Sequence, residues 1–158
     1  MTGSWDNFFV AVASASAALT GLLFVAVSIN LSRILSFATL PGRAAEALIV
    51  MFGALAVALC GLVPQSHVAV GVEWVTIGTI VILTATGIQL RARAARNSEE
   101  RPLWRALTAQ GPAVPFVIGG LFAAAGSDHG PYWVVIGSLL SLAGGVFDAW
   151  VLLVEIQR

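Results

Sequence analysis

The chain has 158 residues, of which 58% are apolar and only 10% charged, with zero formal net charge and a mean hydropathy of +0.92. Soluble domains are about 25% charged and about 45–50% apolar, which excludes an ordinary cytoplasmic globule, a disordered segment and a secreted disulfide scaffold, and indicates a polytopic membrane protein. Neutrality speaks against a nucleic-acid partner, and because every basic residue is arginine, no lysine is present for a retinal or pyridoxal Schiff base or for a phosphate-binding loop.

The first seven residues hold no basic cluster, and the apolar stretch behind them is too long for a signal-peptide core. It reads as a retained first membrane helix, predicted over 8–36. Pro41-Gly42 breaks the chain, and a second apolar helix is predicted over 44–63, ending at Pro64. It contains the single cysteine, Cys60. That residue has no disulfide partner in the chain and reads as a small apolar side chain. A third helix is predicted over 68–90, followed by a polar loop over 91–101 and by Pro102 as a first helical residue. The fourth helix, 103–125, is interrupted by Gly111-Pro112 and Pro115, so a kink or break is expected there. The fifth runs over 132–156. Each segment supplies the roughly 20 apolar residues that a helical crossing needs. The expected fold class is therefore all-α, a bundle of five transmembrane helices forming a single domain surrounded by lipid.

Arginine placement orients the bundle. The first connection carries Arg33 and Arg43, and the third carries Arg91, Arg93, Arg96 and Arg101, with Arg105 just beyond. The second and fourth connections carry none. The first and third are thus expected in the cytoplasm, with the N-terminus outside and the C-terminus, with Arg158, inside. Trp5, Trp74, Tyr132 and Trp133 fall near outer helix ends, and Trp104 and Trp150 near inner ends, as interfacial aromatic belts require.

Several patterns are candidates for chemistry. In the first helix Asn7, Ser14, Gly21 and Ser28 recur every seven residues, with Ala11, Ala18, Val25 and Ser32 beside them on one face. Such a stripe suits either close helix packing or the wall of a pore in a homo-oligomer. The fifth helix carries Ser141, Gly144, Gly145 and Asp148, with Glu155 a heptad further on. Asp148 lies about 24 Å along that helix from Tyr132. A carboxylate there costs about 3 kcal/mol, so it requires a partner, water or the bundle interior. It reads either as half of a structural pair with Arg33, Arg43 or Arg105, or as a proton- or cation-handling group. Arg43 and Glu46, three apart, can pair locally or join an inner charge cluster with Asp148. In the third helix Glu73 heads a face continued by Thr76, Ile80, Thr84 and Gly87. That face is a candidate polar lining, although intramembrane threonines commonly bond their own helix carbonyls.

On the outer side, His67, Asp128 and His129 are possible ligands for zinc or another first-row metal, but their spacing matches no ligand motif. No G-x-S-x-G, H-E-x-x-H or paired-acid motif is present, no histidine lies at membrane depth to ligate haem, and no cofactor is expected.

The segments 8–13 (Phe-Phe-Val-Ala-Val-Ala), 17–31 (from Ala17-Ala18-Leu19-Thr20-Gly21 to Asn30-Leu31) and 40–46 (Leu-Pro-Gly-Arg-Ala-Ala-Glu) resemble small uncharacterised multi-pass inner-membrane proteins of high-GC, actinobacterial-type bacteria. The resemblance covers about a third of the chain. It implies a bacterial inner membrane and carries no activity. The expected function is a homo-oligomeric channel or small transporter for ions, with no enzymatic role. The alternative is a non-catalytic accessory subunit of a larger membrane complex. Ser14, Ser28, Glu73, Thr84, Arg43, Glu46 and Asp148 are the candidates for the ion path or gate.

Overall fold

The computed structural model describes residues 5–37, 40–94 and 110–157, with side chains as far as Trp150. The described residues form helices and short turns, with no strand among them. In chain order the helices are α1 (Asp6–Ile29), α2 (Leu31–Leu35), α3 (Leu40–Leu62), α4 (His67–Ala94), α5 (Ala113–Ala124) and α6 (Gly130–Gln157).

Local chemistry sets the boundaries. The first predicted helix is divided at Asn30, whose side-chain amide donates to Ala26 O at 2.9 Å and competes with the backbone for that carbonyl. Pro41 and Gly42 do not break the chain but open α3. A proline in a first turn lacks only an N–H that the helix would leave unbonded. The hydroxyl of Ser66 accepts from Ala69 N–H at 3.2 Å and caps the start of α4. Gly111 and Pro112 form a turn ahead of α5, with Pro115 in its first turn. At the far end of α5, Gly126 takes φ +76°. Its N–H reaches Ala123 O and the N–H of Ser127 reaches Phe122 O, each at 2.9 Å, the paired bonds of a Schellman cap. Position 103–109 of the fourth predicted helix, the loop residues Arg96 and Arg101, and Arg158 lie outside the described residues.

The helices alternate in direction. One end of the bundle, here the upper end, holds Trp5, the α3–α4 connection and the α5–α6 connection. The lower end holds α2, the start of α3 and the end of α4. At the centre, α3 packs against α1, α4 and α6, while α5 lies between α4 and α6. Met51, Ala54, Val57 and Ala58 of α3 are completely buried. The crossing of α4 with α5 is the closest. A Cβ on Gly120 would stand 2.6 Å from Gly71 O, and one on Gly71 would strike the Ala124 backbone. Trp74, near the upper end of α4, is wholly buried and donates from Nε1 to Val57 O at 3.0 Å. It is a core residue rather than an interfacial anchor.

Four helices are long and apolar enough to cross a membrane: α1, α3, α4 and Gly130–Trp150 of α6. At 1.5 Å per residue the shortest reaches about 32 Å, against about 30 Å of hydrocarbon. The described α5 has 12 residues and is shorter than a crossing. Large apolar side chains face outward all around: Leu22, Ile29, Phe52, Leu83, Leu121 and Leu139 are each more than half exposed. This surface and the four long apolar helices are compatible with a multi-pass membrane protein.

Candidate functional site

The candidate residues fall into three groups. The first is at the upper end. Glu73, one and a half turns into α4, does not stand alone. Gln65 donates from Nε2 to Glu73 Oε2 at 2.6 Å and to Cys60 O at 3.1 Å. The Cys60 thiol lies beside Glu73. Gln65 therefore satisfies a carbonyl at the end of α3 and ties it to α4, across a turn where Pro64 offers no N–H. His67 sits at the first position of α4, with its Nδ1 buried. Asp128 and His129 occupy the α5–α6 turn, where the His129 ring lies 3.0 Å from Ser127 Oγ. Among the described residues no group of three His, Cys, Asp or Glu side chains stands together to hold a metal ion, so His67, Asp128 and His129 are not brought into one site.

The second group is a polar layer in the lower half, assembled from three helices. Contacts fix the register. A Cβ on Gly53 of α3 would meet Val81 of α4 at 2.7 Å, and one on Gly145 of α6 would meet Met51 of α3 at 2.6 Å. Seven residues down α3 from Gly53 lies Glu46, and eight down α4 from Val81 lies Gln89. Three down α6 from Gly145 lies Asp148, five down α3 from Met51 again Glu46. At 1.5 Å per residue, Glu46, Gln89 and Asp148 share a level to within about one turn. Glu46 and Gln89 are each 5% exposed, and Asp148 is half-buried. Arg43, Glu46, Gln89 and Asp148 all make polar or electrostatic interactions, so none stands unpartnered. One turn above, Gln110 donates to Thr86 Oγ1 at 2.8 Å and ties the approach to α5 onto α4. Buried carboxylates at such a level need compensation, and two carboxyls with amide neighbours are a chemistry that can hold a proton or a cation.

The third group is the α1 stripe. Asn7, Ala11, Ser14, Ala18, Gly21, Val25 and Ser28 are all exposed, and a Cβ on Gly21 would meet nothing within 4 Å. The stripe thus lies away from the buried residues of α1, which are Phe9, Val12, Ala13, Ser16 and Leu23 on the opposite face. The Ser28 hydroxyl bonds Phe24 O at 2.8 Å. On α4, the hydroxyl of Thr84 bonds Ile80 O at 2.7 Å, and that of Thr76 bonds Val72 O at the same distance. These hydroxyls are exposed, and each is satisfied by its own helix.

Sequence reasoning did not single out Gln65 or Gln89, and it read Trp74 as an interfacial residue where the structure buries it. Gln89 had a signal, since it continues the buried series Trp74, Gly78, Val81 and Ala85. The role of Gln65 depends on the fold of a turn and had none. The described arginines, Arg33, Arg43, Arg91 and Arg93, collect at the lower end, and Asp6, Glu73 and Asp128 at the upper. No family model matches the chain, and no curated protein or solved structure is significantly similar to it.

Proposed function

We propose that the chain crosses a bacterial inner membrane five times and forms a homo-oligomeric channel or small transporter for ions, without catalytic activity. The upper end faces outward and the lower end the cytoplasm. The gathering of arginines at the lower end supports that orientation. The observation that carries the oligomer is the exposure of the α1 stripe. A face built from Asn7, Ser14, Gly21 and Ser28 offers lipid little apolar area, whereas small side chains allow a second helix to approach closely. The layer of Glu46, Gln89 and Asp148 supplies the ionisable groups for an inner constriction.

The test is reconstitution into liposomes, with oligomeric state measured by light scattering in detergent. A defined oligomer and an ion flux that falls at least tenfold for Asp148→Asn support the reading. Gly21→Leu, at a position where a Cβ would meet nothing within 4 Å, is expected to dissociate the oligomer and abolish flux together. A monomer without flux overturns it.

The second reading, an accessory subunit of a larger membrane complex, is favoured by a different feature. The cavity of about 290 Å³ between α1, α3 and α6 is bounded by Leu19, Leu22, Leu23, Met51 and Val146, with no ionisable group in its wall. Co-purification of a monomer with another membrane protein from native membranes would select this reading.

A further inference from the structure

The buried serines of the spans differ from their hydrogen-bonded neighbours. The hydroxyls of Thr20, Ser28, Thr76, Thr84 and Thr86 each donate to a carbonyl of the preceding turn at 2.6–2.8 Å. Those of Ser16, Ser138 and Ser141 do not. These three serines are 0% exposed, and none of their hydroxyls bonds another group among the described residues. A buried hydroxyl without a partner costs about 1–3 kcal/mol, so three at unrelated places would be a heavy burden for a chain of this size.

They are not at unrelated places. A Cβ on Gly61 of α3 would meet the Phe9 ring of α1 at 2.8 Å. Seven residues down α1 from Phe9 is Ser16, and seven down α3 from Gly61 is Ala54. From the contact of Met51 with Gly145, four residues up α6 is Ser141, opposite Leu55, and seven up is Ser138, opposite Ala58. The three hydroxyls therefore face the Ala54–Ala58 stretch of α3, a rise of about 6 Å. An independent contact gives the same level for α1 against α6. The Trp5 and Tyr132 rings are 4.9 Å apart, and eleven residues down each helix are Ser16 and Ala143, one residue from Leu142, which the first two contacts place level with Ser16. Opposite the serines, α3 presents only the single methyl groups of Ala54 and Ala58, which are fully buried and offer the hydroxyls no polar side chain.

We propose that Ser16, Ser138 and Ser141 hold a small cluster of water where α1, α3 and α6 meet, near the middle of the bundle. Water fits the donor set better than a metal cation. It both donates and accepts, as hydroxyls require, and it needs two to four polar partners. A cation would take only lone pairs, and no carboxylate stands at this level to offset its charge. The half-open apolar cleft directly below, walled by Leu19 and Met51, offers water no polar partner. The site stands whether or not the assembly conducts ions.

The experiment compares the full chain with Ser16→Ala, Ser138→Ala, Ser141→Ala and the triple variant. Infrared spectra of protein equilibrated in heavy water are expected to show sharp O–D stretching bands of confined water, absent from the triple variant. Each single variant is expected to lower Tm by about 2–4 °C, since a bridging bond is lost. The double variant Ser138→Ala/Ser141→Ala is expected to fall by less than the sum, because both hydroxyls serve one cluster. Bands that persist in the triple variant overturn the proposal. So does a rise in Tm for the single variants, the result for dry, unsatisfied hydroxyls. A Tm that depends on sodium against choline at equal ionic strength, and loses that dependence in the triple variant, also overturns it in favour of a cation.

Discussion

Glu73 shows how a side chain's surroundings change its meaning. By position it heads a face of hydroxyls running down α4, as a path residue would; in the structure its carboxylate is held by Gln65, beside Cys60. That geometry makes it a fastening between α3 and α4 at the upper end. Glu73→Gln keeps an acceptor oxygen for Gln65 and removes the charge. It is expected to leave ion flux within about twofold of the wild type and to lower Tm by only a few degrees, read by liposome flux and thermal unfolding in detergent. A path carboxylate would lose flux outright. Trp74 is a second case. Its place near a helix end suits an interfacial belt, yet the ring is buried and its N–H is bound to Val57 O. Trp74→Phe loses that bond and part of the ring, and is expected to cost about 1–2 kcal/mol in a denaturant titration, with Trp133→Phe as the comparison.

At the scale of the helices, hydropathy and proline placement made most of α3, α4 and α6 legible to within a few residues, because lipid demands long apolar runs and a helix tolerates proline only in its first turn. Pro41 was misleading for that second reason: the same residue can end one element or open another. The division at Asn30 was not legible, since an asparagine that folds back on Ala26 O has the same sequence context as one that faces out. Nor was the pairing of α4 with α5, which depends on which glycines meet. Gly71 and Gly120 are unremarkable alone, but together they let the two backbones touch. The lower polar layer was half legible. Glu46 and Asp148 stood out as charges within apolar runs, while Gln89 needed the register of α3 against α4. The crossing gives a direct prediction. Gly71→Ala sets a methyl group against the backbone of Gly120 and Ala124, atoms that cannot yield without moving a helix, and is expected to cost about 1–3 kcal/mol. Gly87→Ala, on the same helix with nothing within 4 Å, is expected to be neutral or to gain up to about 1 kcal/mol from helix propensity. Equal unfolding midpoints for the two would contradict the crossing.

For the whole molecule, the decisive asymmetry is between its ends. Arg33, Arg43, Arg91 and Arg93 are spread over α2, α3 and α4, far apart in sequence, and the alternation of helices brings them to one end. Acidic residues contribute little to topology, so the arginines alone set the expected orientation. The chain suits a labelling test because Cys60 is its single cysteine. In a Cys60→Ala background, Arg93→Cys marks the lower end and Asp128→Cys the upper, both at exposed positions outside the packed core. Removing one of several arginines leaves the bias intact. With a membrane-impermeant maleimide on intact bacterial cells whose outer layers admit it, Asp128→Cys is expected to label and Arg93→Cys only after the inner membrane is opened. The reverse pattern would invert the bundle, placing the layer of Glu46, Gln89 and Asp148 toward the outside. Labelling of both from one side would mean that the segment between them, which contains α5, does not cross, and the alternation of helices in the membrane would have to be redrawn.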